Sequence, residues 1–267
     1  MPLDRVLSER CAVCDAALRA AERSVVRGAP LARCGSCGHY QVERPSPPLS
    51  EDDAQRPAAR WSSFEKAARR LLALRSLGFD GGPLLDVSAT PAFAHIAAAG
   101  PFEVERIDRE PNESILERLE RRPLPPAHFR IVTCWSGLTL EPEPVALLEH
   151  LRDRLEPGGM LAIAAHVQDH PASAPIDLCH ARHLFSRNSL RTVVLRAGFD
   201  IHVLVPADLQ PRVEGLRAHE RVIARASLSM LGALARERRY ATRLIPEVLW
   251  RLAHTAELWA RRPIRED

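Results

Sequence analysis

Four cysteines near the N-terminus form two pairs with the spacing of metal ligands. The pairs are Cys11 with Cys14 and Cys34 with Cys37, each in a C-x-x-C pattern. A C-x-x-C turn places two thiolates on one side of a tight bend, and two such turns supply the four soft ligands of a tetrahedral Zn²⁺. Because four thiolates leave no open coordination position, the spacing predicts a structural zinc that folds a small module, a zinc ribbon, and takes no part in catalysis.

Disulfides and free buried thiols are the alternatives for these cysteines. The regular pairing disfavours free thiols, and disulfides are rare in the cytosol. The sequence shows no apolar run near the roughly 18 residues of a membrane span, and no charged leader followed by an apolar core. We therefore expect a cytoplasmic protein that does not enter a membrane. Gly38, directly after Cys37, favours a bend in which backbone N–H groups turn back toward the sulfurs.

A second chemical signal is an aspartate at the end of a short apolar run. Asp86 follows Leu84 and Leu85, a turn comes next, and a helix is predicted up to Gly100. We expect Thr90 to cap that helix, Pro91 to open it and Gly100 to close it. Strand, turn and helix form the opening unit of a nucleotide-binding α/β sheet. The turn contains no glycine, although a ligand bound there must approach the backbone closely.

Another aspartate ends the next predicted strand. Asp108 closes the segment 102–108 and lies 22 residues after Asp86. At about this offset, dinucleotide-type folds place the carboxylate that accepts hydrogen bonds from ribose hydroxyls. An aspartate at the end of a strand can also simply begin a turn, so Asp108 by itself does not establish a ribose-binding site.

The remaining pattern alternates strands with helices. Apolar spacing predicts a helix through Trp61 and Phe64 that ends at Gly78, and we expect this aromatic pair to pack on the sheet. Further strands are predicted at 129–135, 160–165 and 199–205, helices at 113–121, 145–155 and 186–198, and a helical tail at 211–252, while residues 256–260 fit either a last strand or a helix end. This alternation predicts an α/β fold with a doubly wound, Rossmann-like parallel sheet.

Composition separates two parts of the chain and limits its partners. The proline-rich and then acidic stretch 45–56 is a predicted linker between a ribbon, residues 1–44, and a Rossmann-like domain, residues 57–267. Hydrophobic residues make up 46% of the 267 and charged residues 27%, which is typical of a globular protein. The net charge of +3 is too small to indicate a nucleic-acid-binding face.

Histidines cluster in sequence after the predicted 160–165 strand. They are His166, His170, His180 and His183. A second metal site, a general base or no chemical role are all open for them. The His-x-x-x-His spacing needs a helix to bring two rings together, and Pro171 and Pro175 argue against one.

Together these features resemble the class I S-adenosylmethionine-dependent methyltransferases, specifically a bacterial branch with an N-terminal zinc ribbon. The likeness rests on the ribbon, on residues 84–87, and on the segments 154–161 and 183–199. It extends from about residue 8 to residue 205. The resemblance implies a seven-stranded sheet, with S-adenosylmethionine lying across the ends of the first and second strands.

On the matching positions the resemblance implies a cofactor site. The turn after Asp86 would face the methionine part of the cofactor and Asp108 its ribose. Cys134, which we expect to be a buried and unreactive thiol, is placed in the same pocket. The cofactor residues implied are Asp86, Ser88, Ala89, Thr90, Asp108 and Cys134.

The cofactor turn departs from the family pattern. Relatives usually carry a D-x-G-x-G-x-G turn, whereas Ser88, Thr90 and Ala92 stand here where the glycines belong, and Pro91 removes an amide donor. Each added Cβ intrudes on the approach to the backbone. Each residue forced to positive φ would cost about 1–2 kcal/mol.

Two functions follow and both stay open. One is S-adenosylmethionine-dependent methyl transfer to a small molecule. The alternative is a catalytically inactive pseudo-methyltransferase that binds a protein partner or acts as a scaffold. A third function, methylation of RNA guided by the ribbon, is disfavoured by the small net charge.

Overall fold

The computed structural model describes residues 9–18, 23–26, 29–42, 57–88, 90–108, 113–167, 181–209 and 253–264. The strands are β1 (Arg23–Val26), β2 (Ala29–Arg33), β3 (Tyr40–Val42), β4 (Gly82–Asp86), β5 (Phe102–Arg106), β6 (Phe129–Trp135), β7 (Leu155–His166), β8 (His183–Leu184), β9 (Asp200–Leu209) and β10 (Ala253–Arg261). The helices are α1 (Pro57–Ser76), α2 (Ala92–Ala98), α3 (Ile115–Arg121), α4 (Pro144–Arg154) and α5 (Arg187–Arg196). No helix in these ranges has the length and apolar character needed to cross a membrane.

The larger sheet has six strands in the order β5-β4-β6-β7-β10-β9. Neighbouring strands from β5 to β7 are parallel, and β10 lies antiparallel between β7 and β9. This confirms the predicted doubly wound α/β sheet and shows that residues 256–260 belong to a strand. The family likeness implied seven strands, but the described chain passes from β5 through α3 directly to β6, so the strand that would follow β5 is missing.

The direction of the connections decides which face each helix covers. From β4 the chain crosses through α2 to β5 on one side, whereas the connections through α3 to β6 and through α4 to β7 run the other way. Parallel crossovers are right-handed, so a reversal of direction puts the helices on opposite faces. One apolar cluster accordingly joins α1 and α2 to the sheet, and a second cluster joins α3, α4 and α5 to the other face.

The first helix packs differently from its predicted pattern. Leu71 and Leu74 of α1 are buried against the sheet, but Phe64 is 40% exposed, so the expectation that it packs on the sheet is wrong. The side chain of Trp61 lies outside the described part. The buried face of α1 is formed by Ala67, Leu71 and Leu74, and Phe64 lies on the same face but one turn nearer the N-terminal end of the helix.

The ends of α2 also differ from the prediction. The helix begins at Ala92, with Pro91 as its N-cap, and no side chain caps it, so Thr90 does not have the expected role. The helix ends at Ala98 with Ala99 as its C-cap, and Gly100, which follows the cap, does not adopt the expected left-handed conformation. The prediction for α5 is confirmed: Ser186 caps it, and Gly198, with φ of +82°, follows its end.

The N-terminal ribbon shares a sheet with the larger domain. Its strands follow the order β1-β2-β3-β8, and β8 comes from the segment between β7 and α5. Ser186 Oγ donates to the Cys37 carbonyl at 3.0 Å, and Arg196 of α5 donates to the Val13 carbonyl at 2.6 Å. The predicted linker, residues 45–56, lies outside the described ranges. The cysteine module therefore rests directly on β8 and the N-terminus of α5.

Candidate functional site

The four cysteines of the two C-x-x-C pairs meet at one point. Their sulfur atoms all lie within 4.8 Å of one another. The Cys11 and Cys37 sulfurs are 3.7 Å apart, and those of Cys14 and Cys34 are 3.5 Å apart. A tetrahedral ion with Zn–S bonds of about 2.3 Å requires sulfur separations of about 3.8 Å. These residues therefore fit a single metal ion, and they form the one such cluster that the described residues contain.

Two similar backbone turns position the sulfurs. In the first, Asp15 N donates to the Cys11 carbonyl at 2.9 Å, and in the second Gly38 N donates to the Cys34 carbonyl at 2.9 Å. The residue after each pair is left-handed, with φ of +60° at Asp15 and +73° at Gly38. Aspartate tolerates this conformation better than most residues, which is why the first turn needs no glycine.

The thiols of the cluster hydrogen-bond to one another in pairs. A hydrogen bond joins the sulfurs of Cys11 and Cys37; it lowers the pKa of Cys11 to about 5, and the backbone amides of Cys14 and Val13 act in the same direction. The same hydrogen bond raises the pKa of Cys37. Burial raises the pKa of Cys14. One thiolate forms readily in this cluster, and a bound cation would be needed to stabilise four.

A buried histidine pair lies between the ribbon and the sheet domain. His39 Nε2 and His183 Nδ1 are 2.9 Å apart, and Phe185 packs against the His39 ring at a centroid distance of 5.0 Å. Burial lowers the pKa of His183 to about 4, and it lowers the pKa of His39 well below its ordinary value. Both rings are therefore neutral near pH 7, and one donates its N–H to the other.

This pairing accounts for one member of the histidine cluster noted in the sequence. His183 contacts the ribbon, and His166 ends β7, where its carbonyl accepts from Phe185 N at 3.1 Å. His170 and His180 lie outside the described residues. Among the described histidines no metal-binding group forms.

The second candidate site lies at the carboxyl ends of β4, β5 and β6. Asp86, the last residue of β4, is fully buried, and its Oδ1 accepts from Ser88 Oγ and from Thr133 Oγ1, the latter at 2.7 Å. Ser88 Oγ in turn accepts from Trp135 N at 3.1 Å. Burial raises the pKa of Asp86, while the hydrogen bonds and the charge of Arg106 oppose that shift. Asp86 thus anchors the turn after β4 to the neighbouring strand.

The second aspartate lies at the end of the adjacent strand. Asp108 follows β5, and its side chain is 61% exposed. Arg106 contacts its Oδ1 and also places its Nε 3.6 Å from Asp86 Oδ2. Asp108 thus offers an open carboxylate at this edge, and Asp86 lies beneath it.

The turn without glycines shows less strain than its sequence suggested. Neither Ser88 nor Thr90 nor Ala92 has a left-handed backbone, so the expected cost of positive φ does not arise at these positions. Ser88 is buried with its hydroxyl directed into the sheet, whereas Thr90 is exposed. Ala89 lies outside the described residues.

Cys134 lies apart from these residues. It is fully buried, and burial raises its pKa to about 12, as expected of an unreactive thiol. Because side chains alternate along β6, Cys134 faces the α3 side while Thr133 faces Asp86. A Cβ added at Gly137 would lie 2.8 Å from its sulfur, so this corner is closely packed.

Two participants in the carboxyl-edge site were not singled out from the sequence. Thr133 lies within a buried strand, where a threonine reads as an ordinary β-branched residue. Arg106 lies in a strand where polar and apolar residues alternate, so its charge suggests only a solvent-facing position. Strand register links both residues to the site: Asp86 of β4 pairs with Arg106 of β5 on one side and with Thr133 of β6 on the other.

The order of the strands gives this edge a further property. Connections leave β4 and β6 toward opposite faces of the sheet, which opens a crevice between their carboxyl ends. In open α/β sheets, ligands bind at such a switch point. Asp86 and Thr133 lie at this point, and Asp108 lies one strand away.

When the protein is compared with known proteins, similar chains are found among solved structures. No protein-family model and no curated protein matches the sequence. The cyclase SpnF is 18% identical over 76% of this chain and 81% of its own, with a TM-score of 0.43. An S-adenosylmethionine-dependent methyltransferase from Mesorhizobium loti is 16% identical over 74% and 100% of the two chains, with a TM-score of 0.42.

A third similar structure contains ligands. It is 1,6-didemethyltoxoflavin-N1-methyltransferase from Burkholderia thailandensis, with its substrate and S-adenosylhomocysteine bound. It is 14% identical over 91% of this chain and 99% of its own, with a TM-score of 0.45. At these identities and TM-scores the comparisons identify no activity for this chain.

Proposed function

We propose that this protein binds S-adenosylmethionine at the carboxyl ends of β4 and β5 and transfers its methyl group to a small molecule. The observation that carries the proposal is the placement of one aspartate at the topological switch point and of a second aspartate one strand away. Asp86 is buried at the end of β4, and Asp108 is open at the end of the adjacent parallel strand β5. A carboxylate at the second position is suited to accept hydrogen bonds from both hydroxyls of a ribose.

The backbone of the turn after β4 supports the proposal. If Ser88 and Thr90 were forced to positive φ, each would cost about 1–2 kcal/mol, a substantial part of the roughly 8 kcal/mol behind a micromolar ligand. Both residues avoid that conformation. The Ser88 side chain is used to hold the turn against β6, so it is directed away from solvent. The altered turn is therefore compatible with a cofactor.

The residues of the chain have simple roles in this proposal. Asp108 holds the ribose, and Asp86 with Ser88 fixes the turn that faces the methionine part. When bound, S-adenosylmethionine supplies a methyl group on a sulfonium that is already activated for direct displacement. The protein then contributes mainly by orienting the two reactants, and it needs no obligatory catalytic base.

A second candidate, an inactive protein that binds a partner, is favoured by a different observation. Arg106 already occupies one oxygen of Asp108, and Pro91 lacks the amide hydrogen that a ligand at the turn could use. In that case the same edge would be filled by the protein's own charged side chains. The two candidates differ in whether the cofactor binds at all.

Calorimetric titration distinguishes them. For the proposed methyltransferase we expect S-adenosylmethionine and S-adenosylhomocysteine to bind with dissociation constants of about 1–100 µM. Asp108→Asn should weaken both by about tenfold, because the amide offers one acceptor where the carboxylate offers two. Asp153→Asn is the matched control, since Asp153 is also exposed but lies near the opposite edge of the sheet, in the last turn of α4. Absence of heat with either ligand would reject methyl transfer and favour the inactive candidate.

We also propose that the cysteine cluster holds one structural Zn²⁺. Its four sulfurs match a closed tetrahedral site, and its surroundings are the core between the ribbon and α5. Since all four positions are protein ligands, the ion would stabilise the fold and leave no place for a substrate. Elemental analysis should give about one zinc per chain in protein purified without chelator.

A further inference from the structure

Three charged side chains form a continuous series at the ends of β4 and β5. Asp86 and Arg106 are register partners on adjacent parallel strands. Arg106 Nε lies 3.6 Å from Asp86 Oδ2, and Arg106 Nη1 contacts Asp108 Oδ1. One guanidinium therefore touches both carboxylates of the proposed cofactor site.

The series runs from the interior to the surface. The side chain of Asp86 is 0% exposed, that of Arg106 is 22% exposed, and that of Asp108 is 61% exposed. A buried carboxylate is costly unless an opposite charge or hydrogen bonds compensate it. Ser88 and Thr133 satisfy Oδ1 of Asp86, and its Oδ2 has no hydrogen-bond partner among the described residues. Arg106 is thus the compensating charge on that side.

Asp108, the exposed end of this series, is the residue that would contact the ligand. Because Arg106 engages Oδ1 of Asp108, the rotation of that exposed carboxylate is restricted. An unrestrained aspartate at a strand end samples several rotamers, and fixing it in advance removes an entropy cost from binding. The remaining lone pairs of the carboxylate stay available to accept hydrogen bonds from a vicinal diol.

We propose that Arg106 is a positioning residue of this site: it neutralises Asp86 beneath the turn and holds Asp108 in the orientation that recognises the two hydroxyls of a ribose. The inference rests on the proposed function, since it assigns Asp108 to the cofactor ribose. It adds that the site discriminates between ribose and deoxyribose ligands. This discrimination depends on Arg106, which does not itself contact the ligand.

The test compares two ligands in three proteins. S-adenosylhomocysteine and its 2′-deoxy analogue are titrated into the wild type, Arg106→Lys and Arg106→Met. The wild type should prefer the ribose ligand by about tenfold, as expected when a hydrogen bond to a charged carboxylate is lost. In Arg106→Met that preference should fall below about threefold, and S-adenosylhomocysteine should bind about tenfold more weakly. Arg106→Lys, which keeps the charge but loses the planar fork, should lie between them.

Two results would overturn the inference. Tighter binding by Arg106→Met would mean that the arginine occupies space needed by the ligand. Equal weakening of both ligands, with the ribose preference intact, would mean that Arg106 only supports the fold. Arg152→Met serves as the control, because Arg152 also pairs with a carboxylate, that of Asp153, in the last turn of α4, and we expect it to leave the preference unchanged.

A ligand-free measurement separates this inference from the proposed function. The unfolding of Arg106→Met, Asp86→Asn and the double variant is followed in urea, and the losses should be non-additive because the two residues are in contact. The loss in Arg106→Met should grow as pH rises above the ordinary range of a carboxyl pKa, because burial raises the pKa of Asp86 and Arg106 stabilises only its ionised form. The groups that face this carboxylate are Ser88, Thr133 and Arg106; Asp108 lies on the far side of Arg106, and Cys134 lies on the other face of β6, where the charge of Asp86 raises its pKa.

The two failures can therefore be told apart. If the wild type binds neither ligand, the proposed function is rejected, and the ribose specificity assigned to Arg106 is rejected with it. If the unfolding losses are additive and independent of pH, the contact between Arg106 and Asp86 is rejected, whatever the ligands do.

Discussion

Replacing Ser186 by alanine should weaken both α5 and the attachment of the ribbon. The hydroxyl of Ser186 has two partners in the structure. It accepts from Ser189 N at 3.0 Å, as the N-cap of α5, and it donates to the Cys37 carbonyl at 3.0 Å. A single side-chain oxygen therefore connects the metal-binding turn to the sheet domain.

The expected cost has two parts. Loss of a serine N-cap costs about 1 kcal/mol, and leaving a buried carbonyl without its donor costs about another 1 kcal/mol. Ser186→Ala should therefore lower the free energy of unfolding by about 2 kcal/mol. Ser114→Ala is the matched control, because Ser114 caps α3 with the same capping box but makes no contact with the ribbon. It should cost about 1 kcal/mol for the cap and a further part for its hydrogen bond to Glu141, so the rate of zinc release is the readout that isolates the contact with Cys37.

The assay has two readouts. Urea unfolding in the presence of zinc gives the stability difference between the two variants. Transfer of zinc to a chromophoric chelator gives the rate at which the ribbon opens, and we expect Ser186→Ala to release zinc several-fold faster than Ser114→Ala. Equal losses of stability, together with equal release rates, would show that the hydroxyl does not couple Cys37 to α5.

Three further predictions concern the metal, the packing and the buried charge. Cys14→Ser should abolish the bound zinc measured by elemental analysis, and Cys134→Ser should retain it; retention in both would refute the ligand assignment. Gly137→Ala should cost about 1–3 kcal/mol in urea unfolding, because its Cβ would lie 2.8 Å from a sulfur, whereas Gly100→Ala, with contacts at 3.4 Å or more, should change stability by less than about 1 kcal/mol. Thr133→Val removes a hydrogen bond that favours ionised Asp86. Because burial raises the pKa of Asp86, its ionised form is reached only at higher pH, and the loss of stability should therefore increase as pH rises. An equal loss of stability over the whole pH range in which the protein is folded would contradict this prediction.

The features predicted from the sequence are those with local signals. The spacing of the cysteine pairs was sufficient to place four thiols together, because each C-x-x-C turn is a short and self-contained structure. The end of β4 at Asp86 was visible because an apolar run stops there, whereas the strand predicted to end at Asp108 ends two residues earlier, at Arg106. The buried strand β7 was evident from its unbroken apolar run, and Ser186 was recognisable as a cap.

The features missed depend on contacts between distant segments. The pairing of β3 with β8 and the contact of His39 with His183 join residues far apart in the chain, and no local pattern reports such neighbours. The strain expected at the turn was overestimated for a related reason. Ser88 is stabilised by the neighbouring strand β6, which a reading of the turn alone does not include.

The shared sheet also has a consequence for how the chain is made. Strands β1 to β3 leave the ribosome early, but their fourth neighbour, His183–Leu184, is synthesised only after most of the larger sheet. During that interval β3 presents an unpaired edge of the kind that recruits other chains. Early capture of an ion by the two cysteine turns would hold this nascent segment together, so zinc starvation during expression should reduce the yield of folded protein more than removal of zinc afterwards.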